Sequence, residues 1–172
     1  MDSSSMKIEL AGTDDYEAIC VVLAEVDAIH VEYLPDVFAP KPGPVRSRNF
    51  LVARISGPGS AVLVAREGAE IVGVLEVLMK TPVNRDGFVH RPVALIDNVV
   101  VRATHRGRGI GTQLVSHAEA WALENGAVVT ELHVWSFNDS ARRLYERLGY
   151  TTRSVRMERV LRSPDERNAP PP

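Results

Sequence analysis

The chain holds a single cysteine, Cys20, among its 172 residues. That excludes an intramolecular disulfide, and the neighbours Ile19, Val21 and Val22 mark Cys20 as a small apolar residue of a core rather than a nucleophile. Excess charge is missing too: 20 Lys and Arg against 22 Asp and Glu leave a formal net charge of −2, so nothing draws the whole chain toward nucleic acid or an anionic membrane. No apolar run reaches the length of a membrane span, and the opening MDSSSMKIEL lacks the basic start and apolar stretch of a secretion signal. A cytoplasmic protein is expected. The histidines, His30, His90, His105, His117 and His133, are scattered without HExxH or CxxC companions, so no metal is expected. The arginines of ARRLYER are interrupted by Glu146 and lack an aromatic platform, which disfavours a nucleic-acid face. There is no internal repeat.

What is present is enough apolar residue, 45%, to bury a core, in a length that suits one domain over 1–162 with a disordered tail over 163–172. Periodicity and punctuation predict an alternation of strands and helices. MKIELAG reads as a strand, and the segment from Thr13 to Leu34 as a helix with Ile19, Val22, Leu23, Val26, Ile29 and Tyr33 on one stripe. After a proline-rich bend, RSRNFLVARI reads as a short helix. AVLVARE and EIVGVLEVLMK form a hairpin about Gly68 and Ala69. A long polar connection, TPVNRDGFVHRP, leads to VALIDNVVV, read as the central strand. IGTQLVSHAEAWALENG is a helix stopped by Gly126, AVVTELHVW a strand, and NDSARRLYERLG a helix capped by Asp139 or Ser140 and stopped by Gly149. YTTRSVRMERVL is read as a last strand.

Between the central strand and its helix lies RATHRGRGIGTQL, with glycines at 107, 109 and 111 among arginines. A strand, a glycine turn and a helix N-terminus together make an anion cradle: the first helical N–H groups lack internal partners, the dipole is positive there, and missing Cβ atoms let a phosphate approach. The spacing is neither a Walker A loop, which needs a lysine after its last glycine, nor a G-x-G-x-x-G dinucleotide turn. It fits R/Q-x-x-G-x-G/A at Arg106, Gly109 and Gly111.

With NDSARRLYERLGY downstream, which fits N-x-x-A-x-x-L-Y-x-x-x-G-[FY], the segment from Ala61 to Tyr150 resembles the GNAT family of N-acetyltransferases. The chain departs from the family at Ala103, where a proline is usual. The resemblance implies an α/β fold with a mixed, mostly antiparallel central sheet split in the middle and helices on both faces. It also implies acetyl-CoA as cosubstrate, an amine acceptor, direct transfer without a covalent enzyme intermediate, and a homodimer as an assembly common in the family. The pyrophosphate would rest on Arg106, Gly107, Arg108, Gly109, Ile110, Gly111 and Thr112, and the pantetheine arm along Val99, Val100 and Val101 as an added strand. Asn138 would touch the cofactor near its thiol. Tyr145 would protonate the departing thiolate, although its position on an apolar stripe also suits a core tyrosine.

Asp97 is an acid in an apolar strand, costly to bury without a partner or a wet cleft. In members resembling polyamine acetyltransferases a carboxylate at this place serves as base; an ion pair with a strand or loop arginine is the alternative. Asn98 falls on the opposite face if the strand is regular. Asp27, His30 and Tyr33 share the first helix, which in the family walls the acceptor site, and are expected either to read the substrate or to be solvated. A non-catalytic acyl-CoA-binding sensor is the other functional reading. Such a binder would need neither Asp97 nor Tyr145.

Overall fold

A computed structural model describes residues 5–44, 46–81, 86–87 and 89–161. The tail expected to be disordered, and residues 82–85 and 88 of the long connection, lie outside the described residues. Backbone contacts group the chain into two units, Met1–Asp139 and Ser140–Pro172.

In the first unit the order is β1 (Lys7–Leu10), α1 (Tyr16–Tyr33), α2 (Arg48–Ser56), β2 (Ser60–Glu67), β3 (Glu70–Met79), β4 (Val93–Val101), α3 (Ile110–Glu124) and β5 (Val129–Leu132). The strands form one sheet in the order β1-β2-β3-β4-β5. β1 to β4 pair antiparallel, and β4 pairs β5 in parallel across the α3 crossover, as expected of a mixed, mostly antiparallel sheet. β3, not β4, is the middle strand, because β1 adds to the far edge of the β2–β3 hairpin.

Residues along β3 face alternate sides of the sheet, and helices cover both. Val74 joins Tyr16, Ile19, Val22, Leu23 of α1 and Leu51 of α2 in one buried cluster. Full burial of an aliphatic side chain of this size is worth about 1.5–3 kcal/mol, so this cluster fixes α1 on the sheet. On the other side, a Cβ built at Gly73 would stand 3.1 Å from Leu114 and 3.3 Å from Ile110. Glycine there lets the first turn of α3 sit directly on the sheet. α2 starts where Ser47 accepts a hydrogen bond from the Phe50 N–H at 3.3 Å, a side-chain N-cap.

α1 departs from its expected stripe at the end: Val26 packs on the cluster, but Tyr33 is 56% exposed. Its last turns meet other aromatic rings instead. Cys20 is half-buried against the same cluster, and burial pushes its thiol pKa up.

In the second unit α4 (Asp139–Arg147) keeps Ala141, Leu144, Tyr145 and Leu148 as its less exposed stripe. Because the helix begins at Asp139, the residue in the cap position is Asn138, one or two positions earlier than read from the sequence. At the other end Gly149 has φ +90 and the Tyr150 N–H donates to the Tyr145 carbonyl at 3.0 Å. This is a Schellman stop, with the Tyr150 ring edge-on to Tyr145 at 5.7 Å as its apolar contact. The strand expected over 150–161 does not form: these residues carry no regular structure, and Val155, Met157, Val160 and Leu161 are exposed. β-propensity alone makes no strand without a ladder partner.

Candidate functional site

β4 is paired on both sides only over part of its length. Val93 to Ile96 match Val129 to Leu132 of β5, and there the pairing stops, while β4 runs on to Val101 with β3 alone beside it. The sheet is therefore split between β4 and β5. The Arg102 N–H donates to Val72 of β3 at 2.9 Å, so alternation turns the N–H groups of Val99 and Val101 toward the open side and that of Val100 toward β3. The open edge offers backbone donors to an extended ligand.

The ladder between β3 and β4 also shifts register: Leu75 faces Val99, but Val77 faces Ile96. Asp97 and Asn98 together oppose Glu76, a β-bulge in β4 at the mouth of the split. Sequence alternation misses this. Asp97 is exposed, so the expected cost of burying it does not arise. The acid that is buried is Glu76, at 1% exposure, on the middle strand. The Asn98 amide donates to Glu76 Oε1 at 3.0 Å, Arg54 Nε lies 3.9 Å from Glu76 Oε2, and that oxygen has no hydrogen-bond partner among the described residues. Desolvation, then the charge of Asp97, raise the Glu76 pKa, against the opposing pull of Arg46, Asn98 and Arg54. The sequence carried a signal for it, an acid inside the apolar run EIVGVLEVLMK.

Asn98 links this carboxyl to the wall formed by α1. Arg46 donates to Asn98 Oδ1 at 3.3 Å and, through Nη1, to both oxygens of Asp27 at 2.6 Å. Asp27 is thus the partner of an arginine, not a solvated surface acid. His30 and Tyr33, one and two turns on, enter a ring cluster: His30 stacks on Phe38 with centroids 4.9 Å apart, and Tyr33 on Phe137 at 4.7 Å. Trp135 stands edge-on to Phe38 at 5.8 Å and to His30 at 6.3 Å. Desolvation lowers the His30 pKa, Asp27 opposes, and Arg46 assists, so the ring is neutral at pH 7. Phe38, Trp135 and Phe137 were not singled out from the sequence, because they come from separate loops with no common period.

At the C-terminal end of β4 the glycine corner has the geometry of a cradle. Gly107 and Gly109 both have φ +77, and Cβ atoms added there would meet nothing within 4 Å. Gly109 occupies the cap position of α3 with no side-chain cap, and the first bond back to it comes from the Gln113 N–H at 3.1 Å. The N–H groups of Ile110, Gly111 and Thr112 therefore have no i−4 helical partner. The arginines nearby are engaged. Arg108 makes a two-bond pair with Glu67, at 3.1 and 2.8 Å; Arg102 pairs with Glu70; and Arg106 Nε donates to the Val101 carbonyl at 3.0 Å. These pairs brace the loop against β2 and β3, and leave backbone N–H groups as its open donors. The missing proline at Ala103 is offset by a Glu25 carboxylate accepting the Ala103 N–H at 2.9 Å.

In the second unit, Tyr145 is buried, and desolvation pushes its phenol pKa up to about 12. It keeps its proton throughout the neutral range. The Asn138 N–H donates to the Trp135 carbonyl at 2.9 Å, closing the turn before α4. Among the described residues there is no group of histidines, cysteines and acids fit to hold a metal, and no helix long and apolar enough to cross a membrane.

Comparison with known proteins bears on the same features. The chain is 26% identical to the aminoalkylphosphonate N-acetyltransferase of Salmonella typhimurium over 88% of each chain. It is 32% identical to the uncharacterized N-acetyltransferase YhfO of Bacillus subtilis, over 59% of this chain and 65% of that one. It also matches 24% of the length of the acetyl transferase GW6a of Oryza sativa. The chain thus spans less than two thirds of these last two relatives. Among solved structures, the BH1408 protein of Bacillus halodurans superposes with a TM-score of 0.85 at 26% identity, over 90% of this chain and 99% of that one. An aminoglycoside acetyltransferase in complex with sisomicin, from a soil metagenome, shares the fold at a TM-score of 0.67 and 18% identity, over 91% and 97%. The profile of the family described as "Acetyltransferase (GNAT) family" matches residues 23–150, from the middle of α1 to the glycine stop of α4, and the chain belongs to that family.

Proposed function

We propose that the protein transfers the acetyl group of acetyl-CoA to a primary amine, directly and without an acyl-enzyme. The observation that carries this reading is the open edge of β4 leading into a glycine corner with unpaired N–H groups. That arrangement suits a ligand with an extended amide-bearing arm ending in a pyrophosphate. The residues fit coenzyme A on this ground: a Cβ at Gly107 or Gly109 would fill the space a phosphate needs, and the side-chain charges around the corner are already compensated. Members of the family use acetyl-CoA, and the aminoglycoside N-acetyltransferase AAC(6')-Iy has been solved in complex with CoA. When bound, acetyl-CoA supplies an activated thioester.

The chain's part is to hold that thioester, ready the amine and manage two protons. Gly107, Gly109, Ile110, Gly111 and Thr112 bind phosphate through backbone N–H groups, with Arg106 and Arg108 bracing the loop. The edge from Val99 through Val100 to Val101 receives the arm, and its outward N–H groups oppose negative charge developing on the carbonyl oxygen. An alkylamine is protonated at neutral pH, so a proton must leave before nitrogen attacks. Asp97, exposed at the bulge, takes it directly or through water. Breaking the carbon–sulfur bond leaves a thiolate, to which Tyr145 passes its proton while the second proton shed by the newly acylated nitrogen restores the phenol. Asn138 lies beside the departing sulfur.

A non-catalytic acyl-CoA sensor is the competing reading. The two are separated by following free thiol released from acetyl-CoA over a panel of primary amines. Release that requires an amine and saturates with it is expected; tight acetyl-CoA binding with no release over the panel would leave a sensor. Asp97→Asn, in an exposed position, is expected to lower kcat/KM by about 10²- to 10⁴-fold without lowering Tm. A variant with the wild-type rate and pH profile would remove Asp97 as the base.

A further inference from the structure

We infer that the ring cluster at the end of α1 is a binding box for a second cationic group, so that the acceptor is a di- or polyamine held by one ammonium while another nitrogen reacts. This rests on the acetyltransferase reading above, whose site it extends. The cluster joins three separate segments: His30 and Tyr33 from α1, Phe38 from the bend after it, and Trp135 and Phe137 from the chain leaving β5. Rings that serve only as core are covered, whereas Trp135 stays 39% exposed and Tyr33 56%. A tryptophan face attracts a cation within about 6 Å through its quadrupole, and tyrosine and phenylalanine faces do so less strongly.

Charge around the rings favours the same occupant. From Ile8 to Pro40 the chain contains no lysine or arginine but eight acids. Most of those acids are engaged: Asp15 and Glu9 with Arg66, Glu17 with Arg48, Glu25 with Arg102, Asp27 with Arg46. Glu32 and Asp36, which flank Tyr33 and precede Phe38, make no ion pair among the described residues. His30 adds no opposing charge at neutral pH, for the reason given above. Acids outnumber bases along the segment that carries His30, Tyr33 and Phe38, where Lys41 and Arg46, the latter paired with Asp27, are the nearest cations in sequence, and an aromatic surface on such a segment suits an organic cation better than an anionic group.

Position ties the box to the reaction. Trp135 lies three residues beyond Leu132, where β5 separates from β4, so at full extension no more than about 11 Å of chain separates it from the mouth of the split. Asp27, one helical turn before His30, is joined through Arg46 to Asn98 in the bulge beside Asp97. Helix α1 thus carries part of the box and, one turn earlier, the hydrogen-bonded link to the bulge.

Two readouts test this, one of them independent of turnover. In a Trp121→Phe variant Trp135 is the sole tryptophan, and its fluorescence is titrated with tetramethylammonium, with an α,ω-diamine, and with a neutral alcohol of matching size. Saturable change with the two cations and none with the alcohol is expected. Added Tyr33→Ala should weaken the cations by about tenfold, about 1.4 kcal/mol, while acetyl-CoA affinity stays the same. In turnover, α,ω-diamines should have lower KM than monoamines of equal length, and Trp135→Ala should raise the diamine KM alone. Equal response to cation and alcohol, or a signal that follows protein concentration and ignores cations, would overturn the box, the second making the rings a contact between copies. Monoamines turned over as well as diamines would overturn it while leaving the acetyltransferase standing. Cation binding without turnover of any amine supports the box and removes the acetyltransferase.

Discussion

Tyr145 and Glu76 are both deeply buried ionisable side chains, and burial acts on them in the same direction. For Tyr145 it keeps a proton available: with the pKa at about 12, the phenol is a donor at any working pH. Tyr145→Phe preserves the ring and its contact with Tyr150, so it should fold and bind acetyl-CoA as before while kcat falls by about 10²- to 10⁴-fold. Unchanged kcat with chemistry rate-limiting would make it a core tyrosine and no more. For Glu76 burial makes ionisation costly. Its folded pKa lies above the unfolded value of 4.5, so the stability it contributes is fully present below pH 4.5 and is lost as pH rises through the folded value. Glu76→Gln keeps an oxygen to accept from Asn98 and has no charge to lose. Thermal melts should therefore show a Tm advantage for the variant that grows as pH rises above 4.5. A pH-independent difference would mean that Arg46 and Arg54 compensate the charge in full. Both residues were open to sequence reading in different degrees. Tyr145 lies inside a long motif, whereas the sequence points to Asp97 rather than Glu76, because which of two neighbouring acids is buried depends on a bulge that strict alternation does not contain.

At the scale of elements, most of the alternation of strands and helices was legible, since each boundary has a local cause. Gly149 and Gly126 end their helices at positive φ, Ser47 caps α2, and the apolar run from Val93 to Val101 is β4 residue for residue. Where the cause is not local, legibility failed. β4 reads as central because it is apolar but for Asp97 and Asn98, yet its neighbour on one side leaves after Ile96. The run after Tyr150 has strand-like composition and no ladder, and the aromatic cluster draws on three segments that nothing in the sequence connects. On the proposed function, the glycine corner is the element on which binding turns. Gly109 adopts φ +77, which disfavours any side chain, and a valine there would also project into the open cradle. Gly109→Val should weaken acetyl-CoA binding by tenfold or more, read by calorimetry. Its Tm, measured alongside, separates lost binding from lost folding, and a folded variant with wild-type affinity would exclude the corner as the phosphate site.

For the molecule as a whole, family membership and fold class come from features spread over most of the chain: the split sheet, the crossover helix on its glycine corner, and the tyrosine helix with its Schellman stop. What the whole does with them reduces to one claim, that the unpaired edge of β4 and the N-terminus of α3 form a single backbone cradle for acetyl-CoA. Amide hydrogen exchange with and without acetyl-CoA tests it most directly, because the proposed donors are the exchanging groups themselves. Slowed exchange at Val99 and Val101 and across Gly109 to Thr112, with α2 unaffected, is the predicted result. Binding that protects other amides and leaves those of β4 and the glycine corner exchanging as in the free protein would contradict the account.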